Sequence, residues 1–449
     1  MVSRRHVLRL GVGGLAATAG CLGTGSSPLH GSLSGDVGHA DTTTPGDVPE
    51  WRPEWTHWFT PWDVLGLDVG DGALFATLNG ETGHSAVARV DPADQSVDWQ
   101  TTFEGEAVAQ SNASAQHVAR GQWGLTLAAD AVYAVAGPVQ QREWSALHAL
   151  DRVTGERRWS VRRERRLAVV GLVDDLVVAT GLEFFPPPGQ TPVSDQTPSS
   201  PLSTVVYGLD AADGAVRWTR EFDGVRDAAV STEGVYVAAG DRLVGLDPDG
   251  RTRFTYVRGP ARRVEAAAGR VYYLTGDPPG AVLHGLAPNG DRDWRRALPV
   301  DELLLDGDRL YAGGGAVVAV EPDGAVDWRD ADAGRWLLLD PDRDALYTRS
   351  GRRADAVTAY DVAGAERWTF DPPSNNAWPE AATADALVVS AITGTTAAEP
   401  SLTVYAVAAD GRATAAFGRD TVFDAVGLDG TVYLADGDSR LLALVPSVA

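Results

Sequence analysis

The sequence predicts an all-β protein, a closed ring of repeated four-stranded units. Three observations predict it. A phrase that ends an apolar run on an acid, turns on glycine and stops on tryptophan recurs through the chain. It reads "ALHALDRVTGERRW" at 146–159, "VYGLDAADGAVRW" at 206–218 and "AVTAYDVAGAERW" at 356–368. The 449 residues include 50 Gly and 26 Pro with no collagen-like period, which suits many tight turns. Between the turns, apolar residues alternate as half-buried strands require.

Each unit reads as four short strands. The first two form a hairpin such as "LTLAADAVYAVAG" (125–137), the third is "ALHALD", and the fourth carries the tryptophan. Gly155, Gly214, Gly250, Gly290, Gly324 and Gly364 mark the third-to-fourth turn, where a hairpin needs φ > 0. The second-strand position is Phe75, Tyr133, Val177, Tyr236, Tyr272, Tyr311, Tyr347, Val388 and Tyr433, which makes nine units. The fourth-strand ring is Trp99, Trp159, Trp218, Phe254, Trp294, Trp328, Trp368 and Phe417, which makes eight. The ninth unit stops after its third strand, "RLLALV" (440–445), and "EWTHWF" (54–59) supplies the fourth from the other end of the chain. Closure by the N-terminal strand removes the exposed edges of an open array. Four-stranded repeats of about 43 residues define a closed β-propeller. Nine blades are counted, with eight as the alternative.

The phrase A-x-[DA]-x-x-[TD]-G-x-x-x-W resembles the repeats of quinoprotein-like (PQQ-repeat) propellers, and the resemblance runs over residues 51–449. The Gly-His and Trp-Asp signatures of WD40 repeats do not recur with the repeat here. The family usually has eight blades. The resemblance implies one of two roles: a lipoprotein scaffold that holds protein partners, or a dehydrogenase of sugars or alcohols that uses pyrroloquinoline quinone (PQQ) with calcium. The dehydrogenases carry vicinal cysteines over the cofactor, whereas this chain has one cysteine, Cys21. No residue matches the family's catalytic aspartate, so no catalytic residue is assigned.

Residues 1–20 read as an export signal. Arg4 and Arg5 precede an apolar stretch too short and glycine-rich to span a bilayer, which resembles a twin-arginine signal. "TAGC" (18–21) resembles a lipobox, with Cys21 as the lipid-attachment residue. Residues 21–50 then read as the lipidated cysteine and a flexible tether, ahead of the propeller. The expected location is the outer face of the cell membrane.

Asp and Glu number 61 against 38 basic residues, every one of them arginine, for a net charge of −23. Nucleic acid is excluded as a partner, because phosphate binding needs a basic surface. Molar salt shortens the Debye length to about 3 Å and screens the self-repulsion. The composition resembles secreted proteins of salt-loving archaea. Contact with an anionic membrane would rest on the lipid anchor.

Loops alternate between the two ends of an antiparallel meander. The insertions at 104–121, 138–145, 183–203 and 392–401 fall on the end that carries the links between blades. That end is expected to bind a protein or an extracellular polymer. On the same end, about ten or eleven residues before each second-strand position and slightly more in the first unit, the chain enters the innermost strand. The residues there are Trp62, Trp123, Arg166, Arg226, Arg263, Glu302, Trp336, Trp378 and Phe423. They predict a stacking and cationic funnel for a planar or anionic ligand. A glycan-binding module rests on the tryptophans alone.

Other chemistry finds little support. The eight histidines lack HExxH spacing, and neither a Ser elbow nor a Walker loop occurs. "DPDG" (247–250), "DGDR" (306–309) and "DGDS" (436–439) lack the terminal Glu of a calcium loop and read as turns. Asn112 in "NAS" is a glycosylation sequon. The expectation is a monomeric, lipid-anchored, non-enzymatic binding or scaffold propeller without metal or cofactor. PQQ with calcium belongs to the dehydrogenase alternative.

Overall fold

The computed structural model describes residues 48–80, 84–108, 125–137, 144–183, 203–267, 269–331, 334–340, 343–349, 356–374, 376–383, 385–392, 402–419, 424–436 and 439–445. Among them are 37 strands, numbered β1–β37 in chain order, and no helix. They form nine sheets arranged as the blades of a propeller, so the count of nine stands over eight. Seven blades use four consecutive strands, ordered from the innermost outward. The ninth blade is closed by the N-terminal strand: β1 (Trp55–Trp58) lies antiparallel on β37 (Arg440–Leu444).

The repeated phrase builds one contact many times. Within a blade, the fourth-strand ring lies against the second-strand aromatic, as in Tyr133–Trp159 with centroids 5.8 Å apart and Tyr272–Trp294 at 6.0 Å. The other face of the indole is covered by the third-to-fourth turn of the next blade. A Cβ on Gly214 would meet Trp159 at 2.7 Å, and one on Gly250 would meet Trp218 at 2.4 Å. Both glycines also sit at φ near +75°, where a side chain is strained. The indole N–H then donates into the same turn: Trp159 Nε1 to Ala211 O at 2.9 Å, Trp218 to Pro248 O at 2.8 Å and Trp294 to Pro322 O at 2.8 Å. Each such ring contributes about 2–3 kcal/mol by burial. The tryptophans are therefore the mortar between blades.

The residue before the ring is charged, and its partner changes with it. Arg158 pairs with Asp130 and Asp151, and Arg217 with Asp175 and Asp210. In the first, fifth and sixth blades the sign is reversed, and Asp98, Asp293 and Asp327 meet Arg89, Arg270 and Arg309.

Closure differs in detail from the sequence reading. In the eighth blade Ala415, not Phe417, occupies the ring register, because Ala406 pairs with Ala415 and Val404 with Phe417. The missing ring comes from the N-terminal segment. Trp51 is 3% exposed, packs with Ala415 and Phe417, and donates from Nε1 to Val445 O at 2.9 Å. Its backbone N–H donates to Ala416 O at 2.7 Å. Residues 48–58 thus complete two blades: Trp55 fills the ring position of the ninth, against Tyr433 at 5.8 Å, and Trp51 that of the eighth.

The innermost strands commonly carry a one-residue bulge, which adds twist and frees a side chain from the ladder. The extra residue is Leu65, Val170, Arg226, Arg262, Asp301 or Glu380 in six of the blades. In the second blade the ladder breaks at the same level. There β6 (Ala107–Val108) pairs with Gly137 and Ala136, and β7 (Leu125–Leu127) resumes opposite Ala134. The insertion expected at 104–121 as a link between blades instead leaves from within the innermost strand.

Candidate functional site at the linker-proximal end

Strand direction places the two classes of loop at opposite ends of the ring. First-to-second and third-to-fourth turns share the turn end. Second-to-third loops and the links between blades share the linker-proximal end. The strand ends that flank three of the insertions, Gly137/Ser145, Leu182/Ser203 and Ile392/Leu402, all lie at the linker-proximal end.

At that end the innermost strands present one level of charged residues. Asp227 pairs with Ala238, Arg263 with Leu274, Glu302 with Gly313 and Asp424 with Ala435. The partners Ala238, Leu274, Gly313 and Ala435 each lie two residues beyond their blade's second-strand tyrosine. The acids at this level bridge to the next blade. Asp227 accepts the N–H of Val264 at 3.0 Å, Asp424 that of Leu67 at 2.8 Å, and Glu302 that of Trp336 at 2.8 Å. Asp227 and Asp424 are 2% and 8% exposed. A buried carboxylate needs such donors, so these acids are stitches between blades.

The funnel residues divide accordingly. Trp62 opens β2 (Trp62–Gly70), half-buried against Gly80, where a Cβ would lie 3.2 Å from its ring. Trp378 is only 7% exposed, and its indole N–H bonds Glu380. Trp336 is half-buried with φ +67°, a conformation costly for a large side chain, and its backbone N–H is held by Glu302. Arg166 and Arg226 are exposed, and Arg263 is half-buried. Trp123 and Phe423 lie outside the described residues, as do Arg4, Arg5, Cys21 and Asn112.

Arg263, Glu302 and Trp336 do come together. Asp301, the bulged residue beside Glu302, pairs with Arg335 and feels Arg262 and Arg263. Burial raises its carboxyl above the usual range, and the three arginines oppose that rise. Sequence reasoning missed Asp227, Arg262, Asp301, Glu380 and Asp424. The available signal was a charge within an otherwise apolar innermost strand.

The field changes sign across the ring. On one side, burial pushes Asp424 up to about 8, and Glu380 and Asp68 push the same way. On the other side, burial pushes His284 down to about 4, aided by Arg292, Arg295 and Arg258. His284 is 3% exposed and bonds through its two ring nitrogens to Tyr256 Oη and Thr275 Oγ1, each at 3.2 Å. Among the described residues no three His, Cys, Asp or Glu converge as metal ligands.

Residues 202–337 match the family described as outer membrane protein assembly factor BamB. Solved structures similar to this chain include BamB from Moraxella catarrhalis, at 18% identity, with 72% of this chain and 94% of that one covered and a TM-score of 0.48. Sqt1 from Saccharomyces cerevisiae matches at 9% identity, over 89% and 100% of the two chains, with a TM-score of 0.48. The quinohemoprotein alcohol dehydrogenase from Comamonas testosteroni matches at 12% identity, over 91% and 78%, with a TM-score of 0.45. No curated protein matches. Among the described residues the chain is a nine-bladed β-propeller, and its similarity to the BamB family covers residues 202–337.

Proposed function

We propose that the protein is an exported, lipid-anchored propeller of a salt-adapted cell, held at the outer face of the membrane through Cys21, and that it works without chemistry. It binds a protein partner at its linker-proximal end. One observation carries this reading: the two ends of the ring are built differently. The turn end is a regular course of indole, glycine and ion pair that holds blades together. The linker-proximal end interrupts that regularity with loops of uneven length and inner-strand bulges that release charged side chains. Binding residues collect on variable loops set on a rigid frame. The name of the family matched over 202–337, an assembly factor, is consistent with a partner-holding role.

A quinone-dependent dehydrogenase suits the residues poorly. A disulfide over the cofactor needs two cysteines, and the chain has one. The inner carboxylates Asp227, Glu302 and Asp424 are engaged with backbone N–H groups. Trp378 is too buried to offer a stacking face.

The test is site-directed photocrosslinking in native membranes. Benzoylphenylalanine at the exposed Pro260 or Pro373, on the linker-proximal end, should yield discrete protein adducts. The same group at Val153 or Asp249, on the turn end, should yield none. Equal adducts from both ends, or none from either, would overturn the reading. Saturable quenching of tryptophan fluorescence by PQQ with calcium would replace it with the dehydrogenase.

A further inference from the structure

The arginines at the two ends differ in what they touch. At the turn end most meet acids: Arg158, Arg217, Arg270 and Arg309 all sit in ion pairs, while Arg253 and Arg367 bond backbone carbonyls. At the linker-proximal ends of blades two to six many do not. Arg162, Arg220, Arg226, Arg258, Arg263 and Arg296 have no carboxylate within ion-pair distance among the described residues. In a chain of net charge −23, acids are the commonest charged neighbour, so unpaired arginines clustered over adjacent blades are not what composition alone produces.

Several of these side chains are held rather than loose. Arg162 stacks over Trp144 at 3.7 Å, Arg163 over Tyr207 at 5.5 Å and Arg258 over Tyr256 at 5.5 Å. A guanidinium stacked on its face keeps its N–H edge free, in the fork that matches a carboxylate. Nearer the axis, Arg226 is exposed at the bulge and Arg263 lies one blade on. The sign of the local field agrees, since Arg258 and Arg295 help to hold the buried His284 neutral.

The surface is not uniformly basic. Arg165 faces Glu221 at 3.6 Å, Arg262 pairs with Asp277, and Arg335 with Asp301. Acids set between arginines repel a uniform phosphate chain and fit a protein surface with spaced carboxylates. In brine the Debye length is about 3 Å at 1 M salt, so only contact pairs attract. Bidentate arginine–carboxylate forks are contact pairs.

We infer that the linker-proximal ends of blades two to six form a docking surface for an acidic protein segment, gripped by Arg162 and Arg258 on their aromatic supports and by Arg226 and Arg263 at the inner rim. This rests on the scaffold reading above and names the partner's chemistry.

The experiment uses the full folded chain in molar KCl, with fluorescein-labelled poly-L-glutamate as the probe and anisotropy as the readout. Binding should saturate. It should weaken about tenfold or more in an Arg226→Ser/Arg263→Ser/Arg296→Ser variant whose circular dichroism is unchanged. An Arg251→Ser/Arg412→Ser variant at the turn end should bind as the parent does. No saturable binding, an equal loss in both variants, or equal affinity for polyphosphate would overturn the inference. Self-association lost with the same three arginines would also overturn it, in favour of a second copy of the chain. Photocrosslinks from Pro260 that persist in the triple variant would sink this inference alone and leave the scaffold reading standing.

Discussion

The turn end and the linker-proximal end of this ring are made from the same strands, yet they follow different rules. At the turn end most blades repeat one arrangement: an aromatic ring between a second-strand residue and a glycine turn, often with an ion pair outside it. At the other end the blades vary. Two bulge on arginine, one on aspartate, one on leucine, and one opens into an insertion. The lesson is a division of labour. Cohesion is concentrated where the repeat is strict, and that frees the opposite end to vary.

The sharpest way to break the comparison is to remove the mortar. Trp218→Ala should cost about 3–5 kcal/mol, read as a lower denaturant midpoint, because it empties the space beneath Gly250. Trp51→Ala should cost nearly as much, although Trp51 lies outside every strand. Its ring is 3% exposed and closes the joint between the eighth and ninth blades. A loss below about 1 kcal/mol would show the N-terminal segment to be decoration.

A middle-sized effect sets the stitches against the mortar. The Asp424 carboxyl is raised to about 8, so the folded state holds its proton where the unfolded chain has lost it. Its contribution is present at low pH and fades as pH climbs from about 4 to about 8. Asp424→Asn should flatten that part of the stability–pH curve, measured by urea titration at each pH. An unchanged slope would locate the pH dependence elsewhere.

The smallest effect concerns the ion pairs outside the mortar. Arg217 is 36% exposed, so solvent screens its pairs with Asp175 and Asp210. Arg217→Ala should lower stability only slightly, and less in molar salt. A larger loss would make these pairs structural partners of the indole rather than its fringe.

The turn end was legible in the sequence, since its signals are local. Tyr236, Gly245 and Phe254 face one another across three adjacent strands, and their spacing along the chain follows. The linker-proximal end was legible only as a place. Counting ten residues back from the tyrosine lands on the bulged residue in three blades, Arg226, Arg262 and Asp301, whereas Arg263 and Glu302 sit nine back, one residue beyond the bulge, and nothing local in the sequence separates the two positions. The role of Trp51 was hidden for a different reason: its partner Val445 is 394 residues away. Phe417 looked like the missing ring because it is the aromatic nearest the expected place, although the step from turn glycine to ring, as from Gly250 to Phe254 and from Gly364 to Trp368, leads from Gly411 to Ala415.

That same separation sets a timetable. The strand that closes the ring ends at Trp58, and its partner β37 begins only at Arg440. Synthesis at about 5–20 residues per second leaves β1 waiting on the order of 20–80 s. During that wait the nascent chain is an open arc with two unpaired edges, the form most prone to wrong pairing. Loss of residues 440–444 would leave β1 with nothing to pair, so a ribosome that stops before β37 would release an unclosed arc rather than a slightly smaller propeller.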